Sequence, residues 1–78
     1  MTEGGEKMEN TNQVSKLRLA RVSRGWSQRE VAEKLGITAS TLHTWEQRKS
    51  IPDVLMAFRL ERLYQVPIYE LFGDVFNA

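Results

Sequence analysis

The sequence predicts an all-α domain of five short helices. Apolar residues recur at helical spacing along the chain, Gly and Pro residues separate the resulting segments, and no stretch shows the convincing apolar–polar alternation of a strand. The chain has 78 residues, of which 41% are hydrophobic and 27% are charged, as in an ordinary soluble globular domain. This length allows one small core and excludes a large catalytic architecture.

The first two helices are defined by their ends. The first is expected from about Asn12 to Arg24, followed by Gly25, which suits the left-handed residue that ends many helices. The second begins at Ser27, because the Ser27 hydroxyl and the Glu30 side chain have the spacing of a capping box. It ends at Gly36.

The remaining three helices begin at further capping residues. Thr38 is a good N-cap for a third helix over about Ala39 to Gln47. Asp53 is expected to cap a fourth helix that runs through about Tyr64. Pro67 suits the first turn of a short fifth helix, which we expect over residues 67–72.

The charge of the chain is uneven. The net charge is +1, but residues 11–50 carry eight basic and three acidic side chains, and both ends are net negative. A basic middle is compatible with a polyanionic partner, and also with an ordinary solvated helix surface.

Composition excludes several other classes of protein. There is no Cys, so a disulfide framework, a thiol nucleophile and thiolate metal sites are excluded. His43 is the one His, and no nucleophile and orienting carboxylate are arranged around it, so neither a metal, a cofactor nor an enzymatic activity is expected. No apolar run reaches the roughly 18 residues of a membrane span and no signal peptide is visible, which predicts a cytoplasmic protein without a membrane partner.

Residues 28–47 have the pattern of a helix-turn-helix. Ala32 is small where the second helix must pass close to the third, Gly36 supplies the unusual backbone of the turn, and Ile37 fills the corner. The small core between the two helices is expected from four apolar residues: Val31, Leu35, Leu42 and Trp45.

The sequence resembles the phage-repressor and Cro-type family of helix-turn-helix transcriptional regulators, often called XRE-like regulators. The resemblance covers about residues 14–72. The matching residues include Leu17, Arg21, Gly25, Trp26, Ser27, Gln28, Val31, Ala32, Leu35, Gly36, Ile37, Thr38, Leu42, Trp45, Glu46, Pro52, Tyr69, Glu70, Leu71 and Phe72. The resemblance implies a five-helix lambda-repressor-like DNA-binding domain, with the third helix in the major groove.

Two positions depart from the family pattern. The family usually has Gly where Arg48 and Gln65 stand, so the third helix is expected to end by another route, and the same question arises for the fourth. Along the chain, residues 1–12 are predicted to be a flexible tail, residues 13–73 the DNA-binding domain, and residues 74–78 a short C-terminal tail.

The resemblance and the outward face of the third helix suggest which residues contact DNA. Base contacts are expected from four side chains on that face: Ala39, Ser40, His43 and Thr44. Phosphate contacts are expected from six residues: Gln28, Thr38, Thr41, Gln47, Arg48 and Lys49. A plain solvated surface is the alternative for each of them. Because the family pairs a matching Arg and Glu, Arg21 and Glu46 are expected to form a structural ion pair.

The predicted function is that of a sequence-specific transcriptional regulator, a repressor, which binds double-stranded DNA as a homodimer on a two-fold symmetric operator. Pairing is expected to use the fourth and fifth helices and the tail, where the apolar candidates are Ile68, Leu71, Val75 and Phe76. The alternative is a protein-interaction module, such as an antitoxin or accessory factor with weak DNA binding, which the small net charge favours slightly.

Overall fold

The computed structural model describes residues 14–76, without the side chain of Phe76, as an arrangement of six helices. They are α1 (Lys16–Ser23), α2 (Gln28–Leu35), α3 (Ala39–Glu46), α4 (Val54–Tyr64), α5 (Ile68–Leu71) and α6 (Gly73–Phe76). The described residues contain no strand, and the predicted all-α fold is confirmed. The predicted flexible tail, residues 1–12, lies outside the described residues.

The capping residues define the helix starts largely as predicted. Ser27 Oγ accepts a hydrogen bond from Glu30 N at 3.0 Å, and Glu30 Oε1 accepts one from Ser27 N at 2.8 Å, which completes the capping box. Thr38 Oγ1 caps α3 by accepting from Thr41 N at 3.1 Å, and Asp53 caps α4. These bonds satisfy backbone donors that have no partner within the helix.

The helices differ from prediction at the two ends of the domain. The first begins at Lys16 rather than near residue 12, because Ser15 is its N-cap and accepts from Arg18 N at 3.2 Å. At the other end, Phe72 interrupts the helical run after Leu71, and the short helix α6 follows. The structure therefore has six helices in residues 14–76 instead of five.

The core lies between the helix-turn-helix and the C-terminal helices. Its buried apolar side chains are Leu17, Val31, Ala32, Leu35, Leu42, Trp45, Leu60, Tyr64, Leu71 and Phe72. The Tyr64 ring stacks on Trp26 with 5.8 Å between ring centroids, and burial raises the pKa of the Tyr64 phenol far above its ordinary value. Because the core is small, removing one fully buried side chain, as in Leu42→Ala, is expected to cost about 2–5 kcal/mol.

The third and fourth helices end through left-handed residues, although neither residue is Gly. Arg48 has a φ of 63° and Gln65 a φ of 61°. After α3, Arg48 N donates to Trp45 O and Lys49 N donates to Thr44 O, which is the bonding of a Schellman motif. The expectation that α3 would end without a left-handed residue, because Arg48 replaces the usual Gly, was therefore wrong. The substituted residues adopt the backbone conformation that Gly favours, at a cost of order 1 kcal/mol or more each.

None of the helices within residues 14–76 is long and apolar enough to cross a lipid bilayer.

Candidate nucleic-acid interface

A groove of about 730 Å³ opens where the start of α2 meets the C-terminal half of α3 and the loop that follows it. Five residues predicted to contact DNA line this groove: Gln28, His43, Gln47, Arg48 and Lys49. Arg18, from α1, lines it as well. The groove therefore gathers basic side chains from separate parts of the chain along one side of α3.

A buried ion pair forms the floor of the groove. Arg21 Nε donates to Glu46 Oε2 at 2.6 Å and Arg21 Nη2 donates to Glu46 Oε1 at 3.2 Å, so the guanidinium holds the carboxylate with two bonds. Arg21 Nη1 also donates to the carbonyl oxygen of Trp26 at 2.8 Å. Since the two charges cancel each other, this pair joins α1 to α3 without adding to the net charge of the groove.

Gln28 extends this network to α2. Its side-chain nitrogen donates to Glu46 Oε1 at 3.0 Å and lies 3.3 Å from His43 Nδ1. The carboxylate of Glu46 accepts hydrogen bonds only, which assigns the amide nitrogen of Gln28 to that side. Both N–H groups of the amide therefore face protein acceptors when His43 Nδ1 is unprotonated, and the side-chain carbonyl oxygen is the group left for an outside partner.

The predicted base-contact residues share one part of α3 but differ in exposure. Ala39, Ser40 and His43 are exposed, and Thr44 is half-buried. Thr44 Oγ1 donates to the carbonyl oxygen of Ser40 at 3.0 Å, one turn earlier in the helix. The Thr44 hydroxyl is therefore available to a base mainly as an acceptor.

Thr38 and Thr41 lie together at the start of α3. Their hydroxyl oxygens are 3.0 Å apart, and Thr38 Oγ1 is also the helix cap. The two hydroxyls are thus hydrogen-bonded to each other at the N-terminal end of α3, which carries a partial positive charge.

The loop after α3 is held by a second ion pair. Arg48 Nε donates to Asp74 Oδ2 at 3.0 Å, and Lys16 N at the start of α1 donates to the same oxygen at 3.0 Å. Partial burial raises the pKa of the Asp74 carboxyl, but the hydrogen bonds from Lys16 N and Arg48 outweigh burial and bring this pKa below its ordinary value. Arg48 is therefore tied to α6, whereas Lys49 is exposed beside it.

The apolar residues expected to mediate pairing are largely engaged in the core. Leu71 is 1% exposed and belongs to the core, which corrects its interpretation as an exposed residue. Ile68 and Val75 are half-buried against the same core, and the side chain of Phe76 lies outside the described residues. The fourth helix was expected to take part, but its exposed residues were not among the candidates, although the run Val54–Phe58, five successive apolar residues, was the signal for them.

Two comparisons with known proteins match the chain. The model of a helix-turn-helix family matches residues 17–71. The chain is also 37% identical over 60 residues to the cryptic phage CTXphi transcriptional repressor RstR of Vibrio cholerae. That match covers 77% of this chain and 54% of the repressor, so the chain spans about half the length of this relative. No solved structure matches the chain significantly.

Proposed function

The chain belongs to the helix-turn-helix family, and from this premise we propose that it represses transcription by inserting α3 into the major groove of a specific operator. The family and the phage repressor relative both agree with a DNA-binding transcriptional regulator that is not an enzyme. As part of the same proposal, the protein acts in the cytoplasm, the compartment predicted from the sequence.

The observation that carries the proposal is the composition of the groove beside α3. Arg18 from α1 and Lys49 from the loop after α3 line one groove together with Gln28, and Arg48, which is paired with Asp74, lies beside Lys49. Scattered basic side chains would instead have favoured the alternative, a protein-interaction module such as an antitoxin with weak DNA binding. Cations gathered along one side of a helix suit the phosphates that flank a major groove.

In this arrangement the exposed face of α3 reads the bases. Ala39 suits the methyl group of thymine, and Ser40 and His43 can donate or accept hydrogen bonds. Because the Thr44 proton is bonded to Ser40 O, Thr44 is suited to accept from the amino group of adenine or cytosine.

Gln28 has a different role from that of a simple side-chain donor to phosphate. Its side-chain nitrogen bonds Glu46 and faces His43, so the side chain braces α3 against α2. The phosphate contact at this position is then made by the backbone N–H groups at the start of α2, which point away from the helix and carry its positive dipole end. Gln47, Lys49 and the pair Thr38 and Thr41 supply the other phosphate contacts.

A single domain of this size makes a limited contact with DNA, about 600–1,000 Å² by analogy with other single modules. We therefore propose a homodimer on a two-fold symmetric operator, with half-sites one helical turn apart. Each protomer would place its own α3 in a successive major groove on the same side of the duplex.

Selection of bound sequences from a random pool of double-stranded DNA would identify the operator. With that operator, the affinity is expected to fall with salt at a log–log slope of about −4 to −5 per protomer, for about four to six neutralised phosphates. Failure to bind any DNA at low salt would contradict the proposal.

A matched pair of variants tests the groove. Lys49→Ala should weaken binding to all sequences alike and make the salt slope shallower by about one. Lys34→Ala removes the same charge from an exposed position over the Trp26 ring and outside the groove, and should leave the slope unchanged. Equal effects of the two substitutions would indicate that total charge, rather than this groove, binds DNA.

A further inference from the structure

The first half of α4 is apolar on both of its faces. Residues Val54–Phe58 are five successive apolar residues, and Met56 packs inward against the core. On the outward side, Val54, Leu55 and Phe58 remain exposed, together with Ile51 from the preceding loop, each between 56% and 71%. A helix that is apolar all round is normally covered on both sides, and α4 is covered on one.

These four residues, which we call the α4 face, differ from the other exposed apolar residues of the domain. Leu19 lines a shallow groove between α1 and α5 whose lining includes the charged residues Lys16 and Glu70, and Tyr69 is the chain neighbour of Glu70. On the α4 face, residues 54–58 include no charged or polar side chain. A run of exposed apolar side chains of this kind favours a protein contact over an ordinary solvated face.

We propose that a second copy of this chain packs on the α4 face, so that Ile51, Val54, Leu55 and Phe58 of two protomers meet about a two-fold axis. This inference rests on the proposed function, which calls for two domains on one operator. In an isologous contact the same patch lies on both partners, so a purely apolar patch is complementary to itself. The fourth helix was expected to take part in pairing, but the residues differ from those named from the sequence, of which Leu71 is in the core.

The position of the α4 face in the chain suits two half-sites. Seven residues, 47–53, join the end of α3 to the start of α4, and this loop can span at most about 25 Å. The loop also carries Lys49, which lines the groove. A two-fold axis at the α4 face therefore keeps both copies of α3 within reach of half-sites about 34 Å apart.

The area of the face indicates how strong the contact is. Four partly exposed side chains of this size offer roughly 400–500 Å² per protomer, against about 800 Å² in a standard stable interface. We therefore expect protomers that pair weakly in solution and pair firmly when two half-sites hold them together. An operator with both half-sites supplies this as a high effective concentration.

Cysteine cross-linking tests the contact without depending on DNA. The chain has no Cys, so in the single variants Val54→Cys and Val22→Cys each thiol has one known position. Val22 is also an exposed Val, but it lies on α1. With a short bismaleimide, Val54→Cys should give at least about fivefold more cross-linked dimer than Val22→Cys at the same protein concentration. Equal yields from the two variants would overturn the proposal.

Binding to one and to two half-sites provides the second test. Phe58→Glu and Leu55→Glu place a charge in the proposed contact, and Leu19→Glu places one on the other apolar surface. The first two should lower affinity for the two-half-site operator by about tenfold or more, with binding to a single half-site unchanged and with Leu19→Glu close to the parent protein. Circular dichroism checks that each variant is folded. If a charged substitution unfolds the domain, Val54→Ala replaces it in the same affinity measurement.

The outcomes separate this inference from the proposed function. An unchanged affinity of the folded α4-face variants for the two-half-site operator would show that the α4 face does not pair the protomers, and would overturn the inference alone. Cross-linking specific to Val54→Cys without binding of any DNA would retain the dimer and overturn the operator on which the proposed function depends. If Val54→Cys shows no specific cross-linking and the protein binds no DNA, both the inference and the proposed function are overturned.

Discussion

Two ion pairs lie at the junction of α3 and its following loop, and they differ in burial rather than in chemistry. Arg21 and Glu46 join α1 to α3 with side chains 9% and 2% exposed, whereas Arg48 and Asp74 join the loop to α6 with side chains 31% and 21% exposed. Water reaches the second pair and is largely excluded from the first. The same type of bond therefore has a different energetic meaning at the two places.

This difference in burial predicts that the fold depends strongly on the Arg21–Glu46 pair and only weakly on the Arg48–Asp74 pair. Removing one partner of the buried pair leaves an unpaired charge in the protein, and this is costly whatever the pair itself contributes. Removing one partner of the exposed pair leaves a charge that water can solvate. Substitutions at both sites, and at two reference positions, test this view.

Loss of the buried pair should have the largest effect. Arg21→Ala and Glu46→Ala should each lower the free energy of unfolding by about 3–5 kcal/mol, measured by urea denaturation. The double variant should lose less than the sum, because the second substitution removes a charge that the first has left unpaired. An unchanged melting temperature in Arg21→Ala, with weaker DNA binding alone, would instead make Arg21 a phosphate contact.

Loss of the partly exposed pair should cost less and depend on pH. Asp74→Asn should lower the free energy of unfolding by about 1 kcal/mol at pH 7, because the amide still accepts from Lys16 N but lacks the charge that attracts Arg48.

The folded-state pKa of Asp74 lies below its ordinary value, so the contribution of the carboxylate is present above the unfolded pKa, near 4. It is lost as the pH falls through the lower, folded pKa. The parent protein and Asp74→Asn should therefore converge in stability in strongly acidic solution. A constant difference between pH 7 and pH 2 would contradict an electrostatic origin.

The two left-handed residues separate backbone strain from the ion pair. Gln65→Gly should raise the free energy of unfolding by about 0.5–1 kcal/mol, because Gly adopts the φ of 61° without the steric cost of a side chain. Arg48→Gly relieves similar strain but removes the contact with Asp74, so its net effect should be smaller. A larger gain from Arg48→Gly than from Gln65→Gly would show that the exposed pair contributes nothing.

A fully solvated pair should have the smallest effect. Arg29 and Glu33 lie one turn apart on α2, 3.5 Å from nitrogen to oxygen, and both side chains are largely exposed. Arg29→Ala should therefore change the melting temperature little, with a cost below about 0.5 kcal/mol. A cost comparable to that of Asp74→Asn would mean that exposure does not rank these pairs.

Much of the candidate site could be predicted because it follows from local rules. The caps at Ser27, Thr38 and Asp53 depend on residues three positions later, so the starts of α2, α3 and α4 could be read directly. The helix-turn-helix pattern identifies groove residues such as Lys49. It does not identify which other side chains the groove residues contact. The bonds of Gln28 with Glu46 and of Arg48 with Asp74 join residues 18 and 26 positions apart, beyond any local signal.

The all-α class, the order of the helices and the helix-turn-helix follow from the sequence alone, because apolar spacing, caps and turn glycines act within a few residues. Which apolar residues remain exposed depends on how the helices pack in the tertiary structure. Leu71 is covered because α5 packs on α1 and α4, and the α4 face is exposed because no described helix packs on its outward side. Burial depends on which surfaces meet, and the periodicity of one helix does not contain that information.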